Sequence, residues 1–152
     1  MWIDHLALLP GDPSVLTSFN AINSGVGSGL SGLVIQSTTT GDTSPGGGNK
    51  VLETAVEVPP KSKIKGVRVC LEYSNNRSFI DQIRLAQVQS PPSSALVLLD
   101  DATPQNQAGP VCVDSLPTSV DPANGPVLLS LRLNFADTSD KIVIRGLGLH
   151  LS

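Results

Sequence analysis

The sequence has few of the features that mark a helical, nucleic-acid-binding or membrane-bound protein. No stretch of a dozen residues carries the 3.6-residue apolar repeat of an amphipathic helix. The apolar runs are all shorter than the roughly 20 residues that a membrane-spanning helix needs. Only 15% of the residues are charged, the net charge is -3, and the basic residues are scattered. We therefore expect a soluble protein with no nucleic-acid partner and no membrane partner, since both surfaces attract clusters of positive charge.

Cysteine and histidine are equally scarce. The two cysteines, Cys70 and Cys112, form a disulfide if the protein is secreted and stay free if it is cytosolic, so both states remain open. The two histidines, His5 and His150, lie at opposite ends of the chain, which argues against a structural zinc site. A hydrolase that uses His150 or a pair of carboxylates is the weakest hypothesis, because no nucleophile with its base can be named. We expect no enzymatic activity.

Glycine, proline and short alternating apolar stretches are abundant instead. The chain holds 14 Gly and 12 Pro among 152 residues, a length that suits one domain. We expect an N-terminal arm with a loop-rich segment over residues 1–49 and a strand-rich core over residues 50–151. Short apolar runs separated by turn residues favour an all-β fold. The prediction is an antiparallel β-sandwich of jelly-roll type with eight or nine strands.

The clearest strands lie within residues 64–88, on either side of a polar connector at residues 74–77. Apolar and charged side chains alternate in both, as expected for antiparallel strands with one face in the core. These residues predict a central hairpin of two long strands. The predicted apolar face of the first strand consists of Val67, Val69, Leu71 and Tyr73.

Residues 50–58, 127–135 and 141–151 show the same alternation. In the last of these the apolar parity changes at Gly146, where a β-bulge would restore the apolar face.

Two glycine-rich stretches resemble phosphate-binding loops only superficially. Residues 27–32 (GSGLSG) match the spacing of a dinucleotide-binding turn, but no strand precedes them and no helix pattern follows. Residues 46–50 (GGGNK) lack the Gly-Lys-Ser/Thr ending of a P-loop. We interpret both as loops.

Four arginines fall in the middle of predicted strands and are candidate ligand-binding residues: Arg68, Arg84, Arg132 and Arg145. If their strands are neighbours, the guanidinium groups would line one sheet face and bind an anion. The alternative, which we favour, is cross-strand pairing with acidic residues on comparable strands. The expected acidic partners are Glu53, Glu57, Glu72 and Asp81.

Aspartates at strand ends and turns raise the second candidate site. Asp100 and Asp101 end a predicted strand, and calcium prefers carboxylate and carbonyl oxygens of this kind. Aspartates are also ordinary turn residues, so the sequence predicts no cofactor. Calcium is the alternative.

Aromatic residues make up only 3% of the chain, and Trp2 is the best candidate for a sugar-stacking platform. Trp2 is equally suited to anchor an interface, and the apolar segment 2–9 must pack against the domain or a neighbouring subunit. We therefore expect a non-catalytic binding or assembly protein that forms a homo-oligomer. The first alternative is a calcium-assisted carbohydrate-binding module.

Overall fold

The computed structural model describes residues 1–19 and 32–152. In these residues the chain forms two antiparallel sheets, one of six strands and one of five, which confirms the predicted all-β sandwich. The strands are β1 Trp2–Ile3, β2 Leu9–Pro10, β3 Val15–Phe19, β4 Leu33–Ser37, β5 Val51–Val56, β6 Ile64–Tyr73, β7 Phe79–Val88, β8 Ala95–Asp101, β9 Val111–Asp114, β10 Val127–Asn134 and β11 Ile142–Leu151.

The first sheet has the order β3-β4-β11-β6-β9, and β1 also pairs with β11. The second sheet has the order β2-β5-β10-β7-β8. The described helical turns are His5–Ala7 and Pro122–Asn124, and neither has the length or apolar character needed to span a membrane. The jelly-roll subtype stays a prediction.

The eleven strands exceed the eight or nine predicted, and the N-terminal segment accounts for part of the difference. A helical turn at His5–Ala7 divides the apolar segment 2–9 into two short strands. The Asp4 side chain caps this turn by accepting a hydrogen bond from the Leu6 amide at 2.9 Å. As a result β1 joins the first sheet and β2 joins the second. We call residues 1–10 the N-terminal strap.

The predicted central hairpin is wrong, although both of its strands exist. β6 pairs with β11 and β9 in the first sheet, whereas β7 pairs with β10 and β8 in the second. The connector at 74–78 therefore carries the chain from one sheet to the other. Tyr73 supports this crossing, because its hydroxyl accepts a hydrogen bond from the Ile80 amide at 3.2 Å. Burial raises the pKa of Tyr73 above its usual value.

The core lies between the sheets and is filled by the alternating apolar side chains. Val67, Val69, Leu71 and Tyr73 are all buried, as predicted for β6. Leu129, Leu131 and Leu133 of β10 are fully buried as well. Each such side chain stabilises the fold by about 1.5–3 kcal/mol relative to leaving it in water.

Two bulges adjust which side chains face this core. The register of β11 on β6 shifts between Ile144 and Gly146, which confirms the bulge predicted at Gly146. A second shift makes Asp81 the extra residue of β7, because Arg132 pairs with Gln82 and Leu133 pairs with Ile80. This second bulge explains how Ile80 reaches the core although its sequence parity is opposite to that of Ile83.

Candidate functional site

Trp2 lies on the outer side of the first sheet with most of its surface open to solvent. It is paired with Gly148 of β11 and remains 64% exposed. A Cβ added to Gly148 would lie 3.1 Å from Cε3 of the indole, and one added to Gly146 would lie 3.4 Å from Cζ3. The six-membered ring therefore rests against a part of β11 where Gly146 and Gly148 leave this face of the strand without side chains.

Charged side chains lie in register with Trp2 on the neighbouring strands of the same sheet. Gly148 is the register partner of Arg68 on β6, and Arg68 is the register partner of Asp114 on β9. We call Trp2, Gly148, Arg68 and Asp114, together with the adjacent His150, the Trp2 row. Its members lie on four neighbouring strands, so the sheet itself fixes their spacing.

Asp114 connects the polar members of the row. Its two carboxylate oxygens accept hydrogen bonds from Arg68 Nε at 2.8 Å and from Arg68 Nη2 at 2.7 Å. The same carboxylate lies 2.7 Å from His150 Nε2. The hydrogen bonds from Arg68, followed by that from His150, hold the pKa of Asp114 well below its usual range. Asp114 and Arg68 are thus both charged at neutral pH, and about two fifths of each side chain remains exposed.

Depressions border the indole. One has a volume of about 170 Å³ and is lined by Met1, Trp2, Arg68, Gly148, Leu149 and His150. The other has a volume of about 400 Å³ and includes Thr54 and Glu57 in its lining. Trp2 borders both depressions, and their linings extend to Arg68 and His150 in the first and to β5 in the second.

The four predicted arginines do not line one sheet face. Arg68 and Arg145 belong to the first sheet, whereas Arg84 and Arg132 belong to the second. The two sheets present opposite outer surfaces, so a single anion cannot contact all four. The prediction of one anion-binding face shared by all four arginines is therefore wrong.

Each of these arginines contacts a carboxylate instead. Arg145 Nη2 lies 2.9 Å from Glu72 and Arg132 Nε lies 2.8 Å from Asp81, which are two of the acidic residues named from the sequence. Arg84 contacts Asp100 at 3.4 Å.

The other two acidic residues named from the sequence play no part in these pairs. Glu53 accepts a hydrogen bond from Ser130 Oγ at 2.6 Å, and Glu57 belongs to the lining beside Trp2.

Asp100 and Asp101 do not converge on a common site. Asp100 is exposed and faces Arg84 and the amide of Gln82. Asp101 is buried, and its two oxygens accept the backbone amides of Thr103 at 3.0 Å and Leu116 at 2.8 Å. Consecutive strand residues point to opposite faces, so the two carboxylates are not directed at one point. Within residues 1–19 and 32–152 no group of three or more His, Cys, Asp or Glu side chains is placed to hold a metal ion.

The remaining sequence candidates fall in three places. Cys70 and Cys112 are register partners on β6 and β9 and are joined by a disulfide. The Gly-rich match at residues 27–32 lies outside the described residues except for its last glycine. His150, one candidate of the hydrolase hypothesis, lies with its Nε2 2.7 Å from Asp114, and the hypothesis of a hydrolase that uses His150 or a pair of carboxylates stays untested.

Sequence reasoning found Trp2 and Arg68 but did not connect them with Asp114 and His150. Asp114 had no local pattern to separate it from ordinary turn aspartates. One signal was present: Gly146 and Gly148 alternate within an otherwise apolar strand, and glycine in a strand often marks the close approach of another group.

Comparison with known proteins identifies similar folds. A structure described as a carbohydrate-binding module of the β-sandwich superfamily matches 95% of this chain and 57% of its own, with 13% identity and a TM-score of 0.58. The CBM22-1–GH10 modules of an endo-1,4-β-D-xylanase of Clostridium thermocellum, complexed with xylohexaose, match 97% of this chain and 26% of their own, with 8% identity and a TM-score of 0.55. The chain thus spans little more than half of the first structure and about a quarter of the second.

No protein-family model matches the chain, and no curated protein does. At these identities the two similar structures show the β-sandwich fold.

Proposed function

We propose that this chain is a non-catalytic carbohydrate-binding module that holds a glycan against Trp2. The observation that carries the proposal is the Trp2 row, in which an exposed indole and a set of polar hydrogen-bonding groups share one line across the first sheet. The fold likeness to carbohydrate-binding modules supports the proposal at the level of architecture only.

The chemistry of the row suits a sugar ring. The face of an aromatic ring carries partial negative charge and attracts the partly positive C–H groups on the face of a pyranose. Sugar hydroxyls project from the edge of the same ring and need donors and acceptors close by. Arg68, Asp114 and His150 supply both, since the guanidinium has five N–H donors and the carboxylate about four acceptor positions.

These polar groups keep capacity for a ligand. Arg68 uses Nε and Nη2 on Asp114, which leaves three of its five N–H donors for a ligand on a side chain that is 42% exposed. His150 uses Nε2 on Asp114, which leaves Nδ1 for another partner. Hydrogen bonds to charged groups are the stronger ones, so they can offset the loss of water from a hydroxyl-rich ligand.

The test is affinity gel electrophoresis against a panel of soluble polysaccharides that includes xylan, glucan, mannan and galactan. At least one of them should retard the wild-type chain, and Trp2→Ala should weaken that binding about tenfold or more, the factor equivalent to about 1.4 kcal/mol. Phe19→Ala is a matched control, because Phe19 is also an exposed aromatic (55%) on the same sheet but lies in β3. Unchanged binding by Trp2→Ala, or a wild-type chain that binds no member of the panel, would contradict the proposal.

The same assay distinguishes calcium-assisted glycan binding from binding that needs no calcium. The Trp2 row carries its own charged groups, so we expect chelator to leave the retardation unchanged. Loss of binding with chelator, and its recovery with calcium, would favour the calcium-assisted alternative.

Self-association is a second candidate function, favoured by the exposed apolar residues of the N-terminal strap. Met1, Trp2, Leu6 and Leu9 are 44%, 64%, 44% and 70% exposed. If the strap is a homo-oligomer contact, the mass in solution exceeds the 15.8 kDa of one chain, and Leu9→Ser lowers it. A strictly monomeric mass at high micromolar concentration would contradict this function and leave the glycan proposal intact.

A further inference from the structure

Lys50 is fully buried although it carries a charge. The exposed fraction of the residue is 0%, and it is among the largest fully buried side chains of the described chain. Burying an ammonium group without partners is very costly, so its surroundings must replace the water that it loses.

Three consecutive backbone carbonyls do this. Lys50 Nζ donates to the carbonyl oxygens of Thr39 at 2.6 Å, Thr40 at 2.9 Å and Gly41 at 3.0 Å. The three donors of the ammonium group are thereby all used. Gly41 has φ of +85°, a conformation that suits glycine and that helps to turn its carbonyl toward the same point. We call these three oxygens the carbonyl cage.

Carboxylates add negative charge nearby. Desolvation lowers the pKa of Lys50, and the charges of Asp12 and Asp42 oppose that shift. The cage is also fixed from outside, because Gly41 and Phe135 exchange backbone hydrogen bonds of 2.7 Å and 3.1 Å. The Lys50 amide donates to the Asp42 carbonyl at 2.8 Å, which closes the loop at residues 38–49 onto the start of β5.

Backbone carbonyls that converge on one point, with carboxylates near them, are the ligand type that hard cations prefer. We propose that the carbonyl cage is a cation site whose resident cation is the ammonium group of Lys50. In this chain the ammonium group of Lys50 holds the polar loop at residues 38–49 in one conformation through these three carbonyls. It follows that a small free cation should occupy the cage when the ammonium group is removed.

The test compares two variants by thermal denaturation in chloride salts of sodium, calcium and ammonium at constant ionic strength. Lys50→Ala empties the cage, so its midpoint should be well below that of the wild type and should rise by several degrees with calcium or ammonium relative to sodium. Lys50→Met is the matched control, because its unbranched side chain has a similar length and no charge. It should also be destabilised, but no cation should restore it, since the cage remains filled.

Each outcome decides the proposal. Rescue of Lys50→Ala alone supports it. Equal shifts in Lys50→Ala, Lys50→Met and wild type, or no shift in any of them, overturn it. If Lys50→Ala is unfolded in sodium chloride, refolding is followed by tryptophan fluorescence during a calcium titration; folding at millimolar calcium supports the cage, and an unfolded chain throughout overturns it. Glycan binding by the wild type is unaffected by any of these results, so this proposal and the proposed function fail independently.

Discussion

Two aspartates each hold an arginine through both carboxylate oxygens, yet one is enclosed and the other is open. Asp140 contacts Arg77 at 2.9–3.0 Å, and its side chain is 2% exposed. Asp114 contacts Arg68 at 2.7–2.8 Å, and its side chain is 44% exposed. The carboxylate is therefore buried in the first pair and exposed in the second, whereas both arginines reach solvent, Arg77 being 54% and Arg68 42% exposed.

The difference in burial separates their roles. Asp140 also accepts hydrogen bonds from Asn75 at 2.7 Å and Ser78 at 2.5 Å, so it organises the crossing between the two sheets. Few of its acceptor positions remain, and little of it can be reached from outside. An exposed ion pair such as that of Asp114 contributes little to stability, because water and salt screen it. We infer that the enclosed cluster stabilises the fold and that the open one is available to a ligand.

Removing the disulfide should have the largest effect on stability, and it should affect the surroundings of Asp114 more than those of Asp140. Cys70 and Cys112 are 42 residues apart, and the loop-closure model assigns such a bridge about 4 kcal/mol. Cys70→Ser combined with Cys112→Ser should lower the urea midpoint and loosen β9, the edge strand that carries Asp114. Amide exchange should therefore accelerate in β9 more than at residues 74–78 around the Asp140 cluster. If amide exchange accelerates equally in β9 and at residues 74–78, the Asp114 and Asp140 clusters depend equally on the disulfide, and the contrast drawn between them is wrong.

Asp140→Asn should have the next largest effect. Hydrogen bonds from Arg77 lower the pKa of Asp140 from 3.8 to about 2, a difference equivalent to about 2 kcal/mol of stability at neutral pH. Because the folded-state pKa is lowered, this stability is present above pH 3.8 and is lost as the pH falls through about 2. Urea denaturation from pH 7 to pH 2 should show the wild type and the variant converging in acid. A difference that stays constant over this range would contradict the role given to the carboxylate.

Asp114→Asn should have a smaller effect on stability, below about 1 kcal/mol, because the pair is exposed. Its effect should appear in binding to whichever polysaccharide retards the wild type, since the row loses its negative charge and part of its hold on Arg68. Melting and affinity electrophoresis on the same preparation separate the two effects. A large loss of stability with unchanged binding would assign Asp114 to the fold rather than to a ligand.

The smallest effect on stability should come from alanine at the two glycines beneath Trp2. A Cβ at Gly148 would lie 3.1 Å from the indole and 3.3 Å from the Met1 carbonyl, whereas the closest approach at Gly146 is 3.4 Å. Gly148→Ala should therefore displace Trp2 and weaken polysaccharide binding. Gly146→Ala is the matched control and should retain more of it. Equal binding by both variants would show that the indole does not need its present position.

What the sequence predicted correctly was local. Alternation in β6 and β10 identified buried residues such as Val67 and Leu131, because side chains in a strand change face at every residue. The change of parity at Gly146 revealed a bulge for the same reason. None of these predictions required knowledge of which strands are neighbours.

What it could not predict depends on contacts between distant segments. Alternation in β6 and β7 is the same whether they pair with each other or face each other across the core, so the hairpin was the simpler and wrong interpretation. Asp114 and His150 are distant in sequence, and only the pairing of β6 with both β9 and β11 brings them together. Lys50 gave no signal either, since a buried lysine has no pattern that distinguishes it from a surface one.

Trp2 is held in place by the pairing of the first strand with the last. β1 contributes only two register pairs, Trp2 with Gly148 and Ile3 with Leu147. Short strands with few hydrogen-bonded pairs open before the core of a domain does. Each opening would remove the aromatic surface while the sandwich stays intact. The apparent Kd for a glycan would then equal the intrinsic Kd divided by the fraction of molecules in which β1 is paired with β11. Glycan affinity would therefore report the stability of the β1–β11 pairing.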